Sequence, residues 1–493
     1  MEATPAGSSL VVLAVMLPVA AATLAPLLGA RGAQRAIVLG LLPASLAVAA
    51  AIAAAVLRTG AAIPVHVGGW APPLGIAFRA DGLSAAFLLT SALVMGATAI
   101  FAGRTGLGAA AGTGRAPLAF WTLLPALWAG VNLAFVANDL FSVFIALELL
   151  TFGAIPLVCL DGSRETLAAA LRYLMFALLG SVLWLLGVAL LHGTYGVLDL
   201  VLLRGAVRPD AATILAAVLM TVGLLAKAAL FPLHLWLPAA HAGAPAAVSA
   251  VLSALVVKAA FFLLVRLWFG TLPALLTPAL AGLLAALGAA AILVGGVMAL
   301  RQARLKLLVA YSTVAQLGYL LLMWPLVLGT GPEGTGAWLG GVLQAVSHAL
   351  AKAAMFLAAG LIAVALGHDR VAALGPAGRA VPIGVLAFAL AGLSLMGIPP
   401  SGGFTAKWLL LRAAIETGQW WWALVVVGGG LLTGGYLYRV LSSAIGGDGE
   451  ATASVPLAPQ AVALGLAMLS VLLGLLPLYS FGLVQIGRPG MAP

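Results

Sequence analysis

Apolar stretches of about 20 residues divide this chain almost completely, and a helix of that length crosses the hydrocarbon core of a bilayer. Fourteen such stretches are present, over residues 9–29, 36–57, 82–103, 117–137, 139–160, 168–191, 211–231, 246–269, 276–299, 305–328, 337–366, 382–410, 420–441 and 457–482. The bilayer interior cannot solvate a backbone, so each span must satisfy its own hydrogen bonds; near-continuous apolar runs do this as helices. Composition agrees, since 493 residues that are 64% hydrophobic and 7% charged cannot clothe a soluble protein. The expected fold is an all-α polytopic membrane protein. The polar stretches 58–81, 192–210 and 366–381 are expected to be loops.

The net charge of +10 forms no basic run, so nucleic acid is excluded as a partner. The arginines stand singly between apolar stretches, as loop charges do. No Lys or Arg precedes Arg31, so the first stretch reads as a span rather than a cleaved signal peptide. Placing Arg31, Arg35, Arg104, Arg115, Arg164, Arg172, Arg301, Arg304, Lys306, Arg370, Arg379 and Arg439 inside leaves Arg58, Arg79, Arg204, Arg208, Arg266, Arg412 and Arg488 outside; this bias of twelve to seven puts both termini outside the cell membrane. The single cysteine, Cys159, excludes an internal disulfide, and no cluster of ligands for zinc or iron–sulfur is present, so no metal or cofactor is expected.

Several charges lie where an apolar span should have none. Lys227, Lys258, Lys352 and Lys407 fall within apolar stretches, and Glu148 is the mid-span acid. Each costs about 2.5–3.5 kcal/mol at a helix centre, so five together cost on the order of 12–18 kcal/mol. Snorkelling or a structural ion pair can account for one of them, but not readily for the set. His234 and His241 flank a loop between Lys227 and Lys258, and His348 lies four residues before Lys352 on one helix face. Imidazole titrates near neutrality, which suits proton relay. Lys306 lies at a loop edge, and its replacement by alanine is expected to leave proton flux nearly unchanged. Ser249, Ser253, Ser312 and Thr313 are available as hydroxyl steps or as packing glue.

Two stretches are interrupted, one at Pro232 after Lys227 and one at Pro399, Pro400, Gly402 and Gly403 before Lys407. Proline removes a donor and glycine loosens the turn, so both helices are expected to break within the membrane. They are the seventh and twelfth stretches. A five-helix repeat over stretches four to eight and nine to thirteen puts the breaks at matching places, a pointer to a transport site. The corresponding division is 1–116, 117–269, 270–441 and 442–493.

The stretches NDLFSVFIALELL, LLAKAALFPLHLWLPAAHAGAPAAVSAVLSALVVK, LKLLVAYSTVAQLGYLL, VSHALAKAAMFLAAG and GIPPSGGFTAKW resemble the antiporter-like subunits of respiratory complex I, of membrane-bound hydrogenases and of Mrp-type cation/proton antiporters. The likeness runs over about residues 68–440, and GGWAPPLGIAFRADGLSA looks most like the MrpD branch. The chain ends soon after the fourteenth stretch, without the long lateral helix of NuoL-type subunits, and carries Lys407 where NuoM-type subunits have a glutamate; an MrpD-like or NuoN-like subunit is expected. The resemblance implies two inverted five-helix repeats. It also implies a pair of Glu148 with Lys227, Lys258 as the central lysine, His348 as the eleventh-helix histidine and Lys407 at the far exit. Many relatives have an acid where this chain has Ala239, which weakens the role of His241. Three settings are compatible: an Mrp-type antiporter, a complex I-like or hydrogenase-like redox machine, and the membrane partner of a complex taking up inorganic carbon or another solute. Other membrane subunits are the expected partners, protons and sodium the ions, and no redox chemistry is expected in this chain alone.

Overall fold

The computed structural model describes residues 7–27, 31–105, 116–330, 334–445 and 451–488; Arg115 lies outside them. Among the described residues, eleven helices are long and apolar enough to cross a membrane, and three shorter apolar helices join them. Each of the fourteen apolar stretches coincides with one of these. In chain order the helices are α1 (Ser8–Leu27), α2 (Arg31–Thr59), α3 (Gly82–Thr105), α4 (Ala116–Val136), α5 (Leu140–Val158), α6 (Arg164–Tyr195), α7 (Leu200–Ala206), α8 (Ala211–Lys227) and α9 (Trp236–Gly243). Then come α10 (Ala246–Thr271), α11 (Pro278–Arg301), α12 (Leu305–Thr330), α13 (Thr335–Leu366), α14 (Pro382–Met396), α15 (Gly402–Glu416), α16 (Trp421–Ile445) and α17 (Leu457–Leu472).

Burial sorts these helices by role. α10 is enclosed on every side, and α12 and α13 are nearly so, whereas α1, α2 and α16 turn most of their apolar surface outward, as lipid-facing helices do. The central helices are thus the ones that carry Lys258, Lys352, Ser312 and His348, and the outer helices shield those groups from lipid.

Both interruptions are real. α8 ends at Lys227, the chain turns through 228–235, and α9 resumes at Trp236. Ala229 sits there in the left-handed region at φ 52°, a conformation that costs an L-residue about 1–2 kcal/mol. The indole Nε1–H of Trp236 donates to the Ala226 carbonyl at 2.9 Å, beside the Ala229 N–H at 3.2 Å, and so ties α9 to the end of α8. α14 ends at Met396, and α15 begins after the Ser401 hydroxyl accepts the Phe404 N–H. A Cβ on Gly403 would run into the Ser394 carbonyl, so only glycine lets the two half-helices meet this closely. Of the two longest stretches, only 382–410 breaks; α13 runs unbroken for 32 residues.

The expected loops are partly ordered elements. Stretch 58–81 holds an antiparallel hairpin, β1 (Ile63–His66) against β2 (Ala77–Ala80), with Ile63 and Val65 turned inward and Pro64 and His66 outward. Stretch 192–210 holds the end of α6 and all of α7, which Asp199 caps by accepting from the N–H groups of Val201 and Leu202. Both elements are too short for an apolar period to reveal them against a strongly apolar background.

Candidate functional site

The buried charges form one row through the middle of the bundle. At its first end Lys227 is the last residue of α8, and the break lets its stem swing against α5. Its Nζ lies 3.8 Å from Glu148 Oε1 and donates to Thr151 Oγ1 at 2.8 Å and to the Leu147 carbonyl at 3.1 Å. The Ser181 hydroxyl of α6 also donates to the glutamate. Three helices therefore fix one acid and one base, and Glu148 keeps a fifth of its side chain exposed.

A small void with room for about one water lies between Thr151, Lys227 and the Val256 and Ala260 side chains of α10. Val256 and Ala260 bracket Lys258 along the chain. Here α10 widens into a π-helical turn over Leu252–Val256, and the Lys258 ammonium donates to the Ser253 carbonyl within it. Ser253 Oγ meets Thr313 Oγ1 of α12 at 2.9 Å. The neighbouring Ser312 accepts from Lys352, whose Nζ also donates to the Val309 carbonyl at 3.0 Å. One turn further along α12, Gln316 donates to the Leu395 carbonyl at 3.0 Å and accepts from Gln344 at 3.1 Å. That same Leu395 carbonyl, at the broken end of α14, accepts from Lys407 Nζ at 2.6 Å, while the Lys407 ammonium sits 4.1 Å from the centre of the Tyr319 ring.

The structure thus brings Glu148, Lys227, Lys258, Lys352 and Lys407 into one polar file, with α12 as its spine. His241 and His348 flank that file. His241 stacks on Phe356 at 4.6 Å, and His348 lies one turn before Lys352 on α13. The sequence places His241 beside a loop; it is fully buried in α9, because that short helix folds back into the break. His234 stacks on Phe231 at 5.5 Å in the turn of the break, apart from the hydrogen bonds of the row.

Sequence reasoning missed Thr151, Gln316, Tyr319 and Gln344. A signal was present: Ser312, Gln316 and Tyr319 are spaced four and three apart in an apolar run, which puts three polar tips on one helix face. It also treated Arg266 as a loop charge. Arg266 instead lies in the last turn of α10 and grips Asp81 with two hydrogen bonds of 2.5 and 2.6 Å. Burial alone would raise the Asp81 carboxyl; Arg266, Arg79 and the Ser84 N–H outweigh it and hold the group below the ordinary carboxylate range. Lys306 sits at the loop edge as expected; its Nζ donates to the Ala244 carbonyl at 2.5 Å and reaches the Ala242 carbonyl at 3.5 Å, so it caps the C-terminal end of α9.

A bundle of membrane-crossing helices around a file of buried lysines and one carboxylate defines an ion-translocating membrane protein. The family model described as NADH:quinone oxidoreductase/Mrp antiporter, transmembrane, matches residues 137–433, and the chain belongs to this family. It is 34% identical over 383 residues to the N subunit of the NADH-quinone oxidoreductase of Desulforudis audaxviator, covering 77% of this chain and 74% of that protein. It is 28% identical over 392 residues to the D-type subunit of the Na(+)/H(+) antiporter of Alkalihalophilus pseudofirmus, covering 79% and 77%. A chain in the structure of the Mrp complex from a Dietzia species superposes with a TM-score of 0.88 at 27% identity, over 97% of this chain and 96% of that one. The protein is accordingly a multi-pass membrane subunit of the Mrp antiporter or complex I-like kind.

Proposed function

We propose that this chain is the proton-translocating subunit of a multisubunit cation/proton antiporter, similar to the D-type subunits of Mrp assemblies. The observation that carries the proposal is the row from Glu148 to Lys407, in which Lys227 bonds to Thr151, Lys258 to the Ser253 carbonyl, Lys352 to Ser312, and Lys407 shares the Leu395 carbonyl with Gln316. Glu148 is the anion against which the Lys227 ammonium is held. When a neighbouring chain of the assembly disturbs that pair, the proton passes by water and hydroxyls toward Lys258, then by Ser253, Thr313, Ser312 and Lys352 to Lys407. His241 and His348 serve as side stations. The division into two inverted repeats, 117–269 and 270–441, belongs to this reading, with a broken helix in each. The identity to the N subunit of a quinone oxidoreductase favours a second setting, a proton-pumping subunit of a quinone-reducing complex.

The reading predicts that the chain works only beside partner membrane subunits. Purified alone in liposomes it exchanges no sodium for protons, whereas vesicles containing its whole assembly do so, and lose the exchange when this chain is deleted. Coupled exchange by the isolated chain overturns the dependence on partners. Proton movement that follows quinone reduction and ignores a sodium gradient selects the second setting.

The arginine bias supports a plasma-membrane orientation with both termini outside and fourteen crossings. Reporter fusions placed after Arg35 and at the C-terminus then report opposite sides; the same side for both rejects the orientation.

A further inference from the structure

We infer that a second site, remote from the lysine file, binds the phosphate group of an anionic membrane phospholipid. It is a cavity of about 70 Å³ lined by three arginines, Arg79, Arg204 and Arg266, together with Asn138 and Thr271. At roughly 10–15 Å³ for each water-sized position, the space suits the five heavy atoms of a phosphate.

The charge balance around the cavity is uneven. Asp81 is engaged on both oxygens by Arg266, and Arg79 approaches the same carboxylate only at 3.8 Å. Asp199 is occupied in capping α7 and in accepting from Asn138 at 2.8 Å. Among the described residues Arg204 makes no ion pair, and it adds to the repulsion felt by Arg79. Burial, then Arg266 and Arg204, hold the Arg79 guanidinium below its ordinary value against the opposing pull of Asp81 and Asp199. Planar guanidiniums pair their N–H donors with phosphate oxygens, so a bound phosphate supplies the anion that the site lacks.

Its position selects a lipid phosphate over a free one. α3 begins at Gly82 just after Arg79, α5 begins after its cap Asp139, next to Asn138, and α10 ends at Thr271, so three spans end around the cavity. That is the level of the headgroups. α7 lies beside it and turns Val201 and Leu202 outward, about half exposed, as an apolar shelf for acyl chains. This inference does not depend on the proposed transport function.

The test titrates the full chain in neutral detergent micelles with dioleoyl phosphatidylglycerol, dioleoyl phosphatidylcholine or inorganic phosphate. Lipid retained per chain and the unfolding midpoint are read out. Phosphatidylglycerol is expected to be retained and to raise the midpoint; phosphatidylcholine and inorganic phosphate are expected to do neither. Arg204→Gln, which breaks no ion pair, weakens phosphatidylglycerol binding about tenfold. Arg208→Gln, an exposed arginine outside the cavity, leaves it unchanged. Equal retention of the two lipids, an equal response to inorganic phosphate, or equal losses in the two variants each overturns the site.

Discussion

Glu148→Gln and Lys227→Ala are each expected to lower proton flux at least tenfold while the assembly still forms. The pair is the one place in the file where an acid faces a lysine, at 3.8 Å, and its remaining bonds go to Thr151, Leu147 and Ser181. Removing one partner of a buried pair leaves the other charge uncompensated, at a cost of about 3–5 kcal/mol, and the site answers by changing its protonation. A loss of about 1.4 kcal/mol in a proton-transfer step already amounts to about tenfold in rate. Lys227→Arg is expected to fail as well: it keeps the positive charge but cannot release the proton. Lys306→Ala separates transport from stability. It removes the cap of α9, so the folded state loses about 1–3 kcal/mol, yet flux per assembled complex persists. The measurement is proton flux in membrane vesicles, normalised to assembled complex. Normal transport by Lys227→Arg would mean that the lysine is an electrostatic anchor. Normal transport by Glu148→Gln as well would make the pair purely structural and remove this end of the pathway.

Gly180→Val is expected to be strongly damaging in the helices that hold this pair. α6 and α8 touch backbone to backbone: a Cβ on Gly180 would stand 2.7 Å from the Gly223 carbonyl and 3.0 Å from Lys227 Cγ, and one on Gly223 would stand 2.5 Å from the Gly180 carbonyl. No side-chain rotation relieves a contact with a carbonyl, so the helices must part. Overpacking of this kind costs about 1–3 kcal/mol, and small residues at such a seam are what allow membrane helices to associate. The separation would also carry Ser181 away from Glu148. Gly193→Val is the comparison, since a Cβ there meets nothing within 4 Å on the same helix. The expected result is a lower unfolding midpoint and less accumulated protein for Gly180→Val alone. Equal midpoints for the two variants would show that the seam tolerates a wider spacing and that the close approach does not hold the pair.

The sequence by itself determined that the chain crosses a membrane, where its helices lie, that two of them break, and that Glu148 and four lysines lie within apolar stretches at a cost. These follow from free energies local to one segment: the length of an apolar run, the missing donor of Pro232, the cost of a charge in hydrocarbon. What joins the charges was decided by tertiary structure alone. Thr151 belongs to the site because the end of α8 folds against α5, and Gln316 because the broken end of α14 offers the Leu395 carbonyl to it and to Lys407 together. Residues 165 apart in sequence, such as Glu148 and Thr313, enter one file through packing that no local period encodes. The same reason hid Arg266. As a single charge near the end of an apolar run it looks like any loop arginine, and only the approach of Asp81 at the start of α3, 185 residues earlier, makes it a buried partner.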